Sequence, residues 1–226
     1  MAHIGMKYPV AAPWQEGNTY GDGFVVAKAI NFTGTPNKNE VELYADDGMA
    51  ESDKSVKDWG TSLGVDDLGL KEQAELLGHT YVEAKAAESG GEATPESVEV
   101  GTDDVAPYFG MGFYKRRRKN NVTTFTVIWL YKVQNSEPTE NAETKGDTTN
   151  FQTATIEGKA YPVEVTEGGK TKMSIGKKLI FSTEAEAKAW QEKIDQANTL
   201  EALAKSGVQD LLDIIRTTPS MGIEYI

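Results

Sequence analysis

Residues Val122 to Val133 read VTTFTVIWLYKV, the strongest strand signal in the chain. At a period of two, Phe125, Val127, Trp129, Tyr131 and Val133 fall on one face, and Ile128 and Leu130 make the other face partly apolar as well. A strand apolar on both faces sits at the centre of a sheet and is covered on both sides. The reading of the fold works outward from this segment.

Immediately upstream, VAPYFGMGFY from Val105 is a second strand, joined to the first through the run Lys115, Arg116, Arg117, Arg118 and Lys119. That run therefore forms the tip of a hairpin or its shoulders. Gly110 and Gly112 lack the third glycine of a dinucleotide fingerprint and open no helix, so close strand packing or a bulge explains them. Earlier, GFVVAKAINFT from Gly23 reads as a strand with NEVELYADD from Asn39 as its hairpin partner. A further extended segment runs from Lys54 through DWGTSLGVDD, where Asp66 or Asp67 caps a short helix, LKEQAELLG, that stops at Gly78. Residues 82–97 are small and polar and read as a mobile surface loop.

Downstream, Ser136 to Asn150 has no apolar residue larger than Ala and reads as a long loop or an extended arm. FQTATIEGKAYPV alternates like a half-exposed strand, and KMSIGKKLIF, after the turn at Gly168 and Gly169, is the last strand candidate. From Thr183 the period changes. Thr183 and Glu186 form a capping box, and Ala187, Trp190, Ile194 and Ala197 share one helical face, so this helix lies on the sheet. Residues 1–198 make one domain, and 199–226 a helical appendage of two short helices split at Gly207.

Composition narrows the chemistry. The chain has 226 residues, 35 Asp and Glu against 23 Lys and Arg, and a net charge of -12, which argues against a generic nucleic-acid binder. With no Cys, and only His3 and His79, there is no disulfide framework, thiol nucleophile, thiolate zinc site or imidazole cluster. No apolar run is long enough for a membrane span, and no signal-peptide pattern opens the chain. GGKT at Gly168 lacks the strand, loop and helix setting of a phosphate loop, and the pairs Asp46–Asp47, Asp66–Asp67 and Asp103–Asp104 lack calcium-loop spacing, so turns and caps explain them. The basic run has three readings: nucleic-acid contact, a solvated hairpin end that discourages edge pairing, or a contact with the acidic surface of another copy.

Seven blocks carry a resemblance. KYPV at Lys7, LYADDGMAESD at Leu43, LGVDDLG at Leu63, DDVAPYFGMGFY at Asp103, IWLYKVQ at Ile128, ETKGDTTNFQTATIEG at Glu143 and FSTEAEAKAW at Phe181 together resemble the major tail protein, or tail tube protein, of phages with long non-contractile tails. Residues 199–226 fall outside that resemblance, and Asn135 stands where it would place an apolar residue.

The resemblance implies a mainly β (α+β) chain, a β-sandwich or barrel-like fold with a flanking α-helix and long polar loops. It implies a virion protein made in the bacterial cytoplasm, six copies to a ring and rings stacked into a tube that passes duplex DNA without holding it. Tape measure and tail tip or terminator proteins are the implied partners, with no cofactor, no metal, no membrane insertion and no catalytic residue. The candidate contacts between copies are Lys115, Arg116, Arg117, Arg118 and Lys119, facing Glu137, Glu140 and Glu143. A monomeric β-sandwich that stacks a carbohydrate on its aromatic residues, and an enzyme using paired carboxylates, are the competing expectations.

Overall fold

The computed structural model describes residues 3–192 except 16–18, 40, 46–47, 54, 87–92, 139–152 and 168. In chain order the first strands are β1 (His3–Gln15), β2 (Thr19–Tyr20), β3 (Phe24–Val25), β4 (Ala29–Lys38), β5 (Val41–Ala45), β6 (Gly48–Asp53) and β7 (Val56–Val65). Then come helix α1 (Leu70–Leu77), β8 (Thr80–Val82), β9 (Ser97–Glu99), β10 (Tyr108–Lys119) and β11 (Val122–Ser136). The last elements are β12 (Ala154–Ala160), β13 (Val163–Glu167), β14 (Lys170–Ser174), β15 (Gly176–Phe181) and helix α2 (Glu184–Glu192).

The fold is mainly β. Its body is a nine-stranded sheet in the order β2-β1-β10-β11-β12-β7-β4, with β15 also pairing β11 and β3 also pairing β1. β11 is central as its composition dictates: β10 lies along one edge, β15 and then β12 along the other, and residues 125–131 are buried without interruption. The hairpin between β10 and β11 turns at Asn120 and Asn121, whose φ values of 49° and 62° suit the two-residue turns that match strand twist.

One face of β11 carries Phe125, Val127, Trp129 and Tyr131 into a core with Tyr114, Phe181, Val163 and Val165, closed by Ala187 and Trp190 of α2. Val133 departs from strict alternation. Between the pairs Met111–Leu130 and Phe109–Val133, β11 spends three residues to β10's two. That bulge reverses the phase, so Val133 joins Leu130 and Ala160 in a separate cluster. A third cluster holds Leu76 and Leu77 of α1 with Leu63, Val65, Phe109 and Ile156.

Several expectations are corrected. β4 pairs with β7, and the segment from Asn39 instead forms its own two-stranded sheet of β5 and β6. α1 has Gly69 at its N-cap without a side-chain cap, because the Asp66 carboxylate accepts the backbone N–H of Lys28 and of Asp67. The stretch 82–97 is a loop only between its ends, since Thr80–Val82 pairs with Ser97–Glu99 and Lys85 bridges to Thr94, and residues 87–92 lie outside the described residues. β1, a thirteen-residue strand, has no counterpart in the sequence reading. The capping box at Thr183 and Glu186 forms as expected, with both reciprocal bonds present at 3.0 and 3.2 Å. Ile194, Ala197 and the appendage at 199–226 lie outside the described residues.

Candidate functional site

Lys115 to Lys119 are the last five residues of β10, so the basic run forms the shoulder of the hairpin and not its tip. Strand register sorts the run by side. Arg116 pairs with Phe125, and Phe125 with Phe181, which puts Arg116 on the face that α2 covers. There it lines a small recess with Lys7, Tyr114 and Glu184. Glu184 accepts from the Tyr114 hydroxyl at 2.7 Å and from the Lys7 ammonium at 3.1 Å, and these contacts hold its carboxyl below the usual range. Arg118, on the same side by alternation, donates to Asn121 Oδ1 at 3.3 Å.

Lys115 and Arg117 point the other way. Lys115 is in a row with Thr126 and Ile180, and the next row holds Phe113, Ile128 and Lys178. Burial, and then the neighbouring Lys178 ammonium, push the Lys115 amine below its ordinary value. Lys178 was no part of the sequence-derived site. Only the pairing of β15 with β11 brings it beside the basic run.

Beside Lys178 a cleft of about 410 Å³ opens over Val56, Trp59, Ile128, Leu130 and Met173. None of the residues lining it is acidic. Met173, Ile180 and Val56 nearby are 65%, 54% and 44% exposed, an apolar surface of the kind that marks interaction sites.

Of the acidic residues expected to face the run from another copy, only Glu137 lies among the described residues. Glu140 and Glu143 lie outside the described residues. Glu137 sits just past the end of β11, and its Oε1 is 2.6 Å from Nε2 of His79, whose Nδ1 is 2.8 Å from Asp104 Oδ2. The side chain of His79 is 1% exposed, lodged behind Gly78, the left-handed C-cap of α1. The backbone N–H of Gly101, followed by His79, holds the Asp104 carboxyl below its ordinary value. The two carboxylates address opposite ring nitrogens, so they do not converge on a point where a cation could sit. Among the described residues no group of His, Asp and Glu has the geometry of a metal site.

Of the other chemical candidates, Asp46 and Asp47 lie outside the described residues. Gly169, with φ of 76°, lies just before β14, and Lys170 and Thr171 already belong to that strand, so GGKT opens no helix. Asp103 and Asp104 lie in the turn closed by Gly101 N–H donating to Asp104. Of the aromatic residues offered as stacking platforms, Trp129, Trp190, Tyr20 and Tyr131 are buried. Trp14 faces the Lys132 ammonium at 4.0 Å.

Among the described residues no helix is long and apolar enough to cross a membrane. Compared with known proteins, the chain matches no family model and no curated sequence.

Proposed function

We propose that this chain is a self-assembling structural protein, a tail tube subunit of a phage with a long non-contractile tail. Six copies form a ring, and stacked rings form the conduit through which duplex DNA leaves. On this reading the protein is no enzyme and needs no cofactor. It resides in the virion tail and works with tape measure and tail tip or terminator proteins.

The observation that supports it most is the setting of α2. The resemblance implies a sheet with one flanking helix, and FSTEAEAKAW forms a capped helix whose Trp190 packs on Trp129 of the central strand, ring centroids 6.3 Å apart. The sheet also ends at β4, a ten-residue strand with a partner on one side only among the described residues. An edge of that kind is satisfied when another copy closes it.

Electron microscopy of the purified protein, alone and with tail tips, tests the reading. Rings or tubes are expected. A protein that remains monomeric in the presence of tail tips would sink it.

A further inference from the structure

The face of β10, β11 and β15 turned away from α2 combines three features. It has an apolar floor, formed by Ile128, Leu130 and Trp59 in the cleft. Around that floor are apolar side chains open to solvent, with Met173 65% and Ile180 54% exposed. Its cations, Lys115 and Lys178, stand in adjacent rows of this one face, on the two strands that flank β11, and among the described residues neither is paired with a carboxylate. Two like charges on one partly apolar face, with no carboxylate paired to either, favour a partner that brings the opposite charge. An incoming carboxylate with apolar neighbours relieves both the repulsion and the exposure.

We propose that this face is a docking surface for a second copy of the same chain, with a carboxylate-bearing apolar segment of that copy seated in the cleft against Lys178 and Lys115. The inference rests on the self-assembly reading and specifies which surface carries it. Charge decides the occupant. A chain of net charge -12 contains abundant complementary chemistry: in sequence, residues 39–53 alone hold six Asp and Glu, the apolar Val41, Leu43, Tyr44 and Met49, and no cation. Nucleic acid, the other polyanion in the proposed setting, supplies charge without apolar side chains and would leave the cleft floor exposed.

The contact differs from one made by the hairpin tip. Its cations come from two strands that meet through β11, so it requires the folded sheet and not merely a flexible basic segment. It also differs from an isolated exposed ion pair, because apolar side chains of the partner bury against the cleft floor beside the charge contact.

The test uses full-length protein, an equal mixture of unlabelled and nitrogen-15-labelled chains, allowed to assemble and then treated with a zero-length carbodiimide cross-linker. Cross-links from Lys178 to a carboxylate that join chains of different label are expected. The variant Lys115→Glu with Lys178→Glu is expected to keep the wild-type circular dichroism spectrum and to lower the assembled fraction by roughly tenfold or more. Should that variant misfold, the wild-type cross-links alone still decide. Assembled rings without Lys178 cross-links between chains, or Lys178 cross-links confined to chains of one label, overturn this surface and leave the self-assembly reading standing. Absence of any assembled species, with or without tail tips, overturns both. Duplex DNA added as a competitor should not displace the contact, and displacement by DNA would assign the face to nucleic acid.

Discussion

Gly110 lies directly beneath the indole of Trp129, where the Tyr20 ring meets that indole edge to face, ring centroids 5.5 Å apart. A Cβ at this position would collide with Cζ2 of Trp129 and Cε1 of Tyr20. Two residues on, a Cβ at Gly112 would meet the carbonyl oxygen of Ile128 at 2.8 Å as well as the same indole. The two glycines thus let Trp129, the largest fully buried side chain among the described residues, lie across β10. Gly110→Ala and Gly112→Ala should each destabilise the fold by about 1–3 kcal/mol, with Gly112 the more costly because backbone cannot step aside. Urea denaturation measures this, and a midpoint unchanged for both would refute the packing argument.

Tyr20 closes the same cluster from above. Its hydroxyl donates to the Tyr131 carbonyl at 2.8 Å and accepts from Trp129 Nε1 at 3.4 Å, and burial pushes its acidity well out of the physiological range. Tyr20→Phe keeps the ring packing and removes both bonds, leaving the indole N–H without this acceptor. The expected loss is about 1–3 kcal/mol, with circular dichroism unchanged. A neutral effect would mean that water replaces the hydroxyl.

What the sequence revealed, and what it hid, follows from which signals are local. β11, its hairpin with β10, the end of α1 at Gly78 and the cap of α2 were legible because composition, period and capping residues act within a few positions. β1 was hidden because it is not a regular strand: Gly5 and Tyr8 have φ values of 69° and 61°, and its register against β10 shifts twice. Those irregularities, with Pro9 and Pro13, erase the alternation on which a strand is recognised. The partner of β4 was misread because sequence neighbours pair more often than not, and here a whole hairpin stands between the two partners. The face shared by Lys115 and Lys178 was illegible in principle, since 63 residues separate them and only the order of strands brings them together.

Acid should loosen the junction between β1 and α2. Glu184 is held below its ordinary value by the Tyr114 hydroxyl and then Lys7, so its contribution is present above the unfolded carboxyl value, about 4.3, and is lost as pH falls through the folded one. With side chains 69% and 45% exposed at Lys7 and Glu184, the effect is limited to about 0.2–1 kcal/mol. Melting temperature should therefore fall more steeply below about pH 4 in the wild type than in Glu184→Gln. Parallel profiles for the two proteins would remove Glu184 from the account.

The capping box offers a cleaner measurement of how α2 is held. Thr183 Oγ1 accepts the Glu186 N–H and Glu186 Oε2 accepts the Thr183 N–H, so Thr183→Ala breaks one half and leaves Trp190 in place. A cost of about 0.5–2 kcal/mol is expected. Glu186→Ala should cost less, since it frees an N–H that water can reach.

The basic run allows a test in which stability and assembly separate by parity. Arg116 shares its face with α2 and lines the recess that holds Glu184, so Arg116→Glu sets a carboxylate near another carboxylate. That variant should lift Glu184 back toward its ordinary value and lower stability by up to about 1 kcal/mol. Arg118 lies near the turn and reaches Asn121, so Arg118→Glu should stay within about 0.5 kcal/mol of wild type. Arg117 pairs with Thr124 and lies one row from Lys115 on the opposite face, which also carries Lys178. Arg117→Glu therefore introduces the complementary charge to that face, which should raise the Lys115 amine toward its ordinary value and leave melting temperature nearly unchanged. The same substitution places a carboxylate where the proposed second copy must bring its own, so assembly should fail in Arg117→Glu while persisting in Arg116→Glu and Arg118→Glu. The reverse pattern, with tubes lost in the even-numbered variants and normal in Arg117→Glu, would move the contact to the side of α2. Equal loss in all three would mean that the run acts through its summed charge, with no role for the register that sorts it.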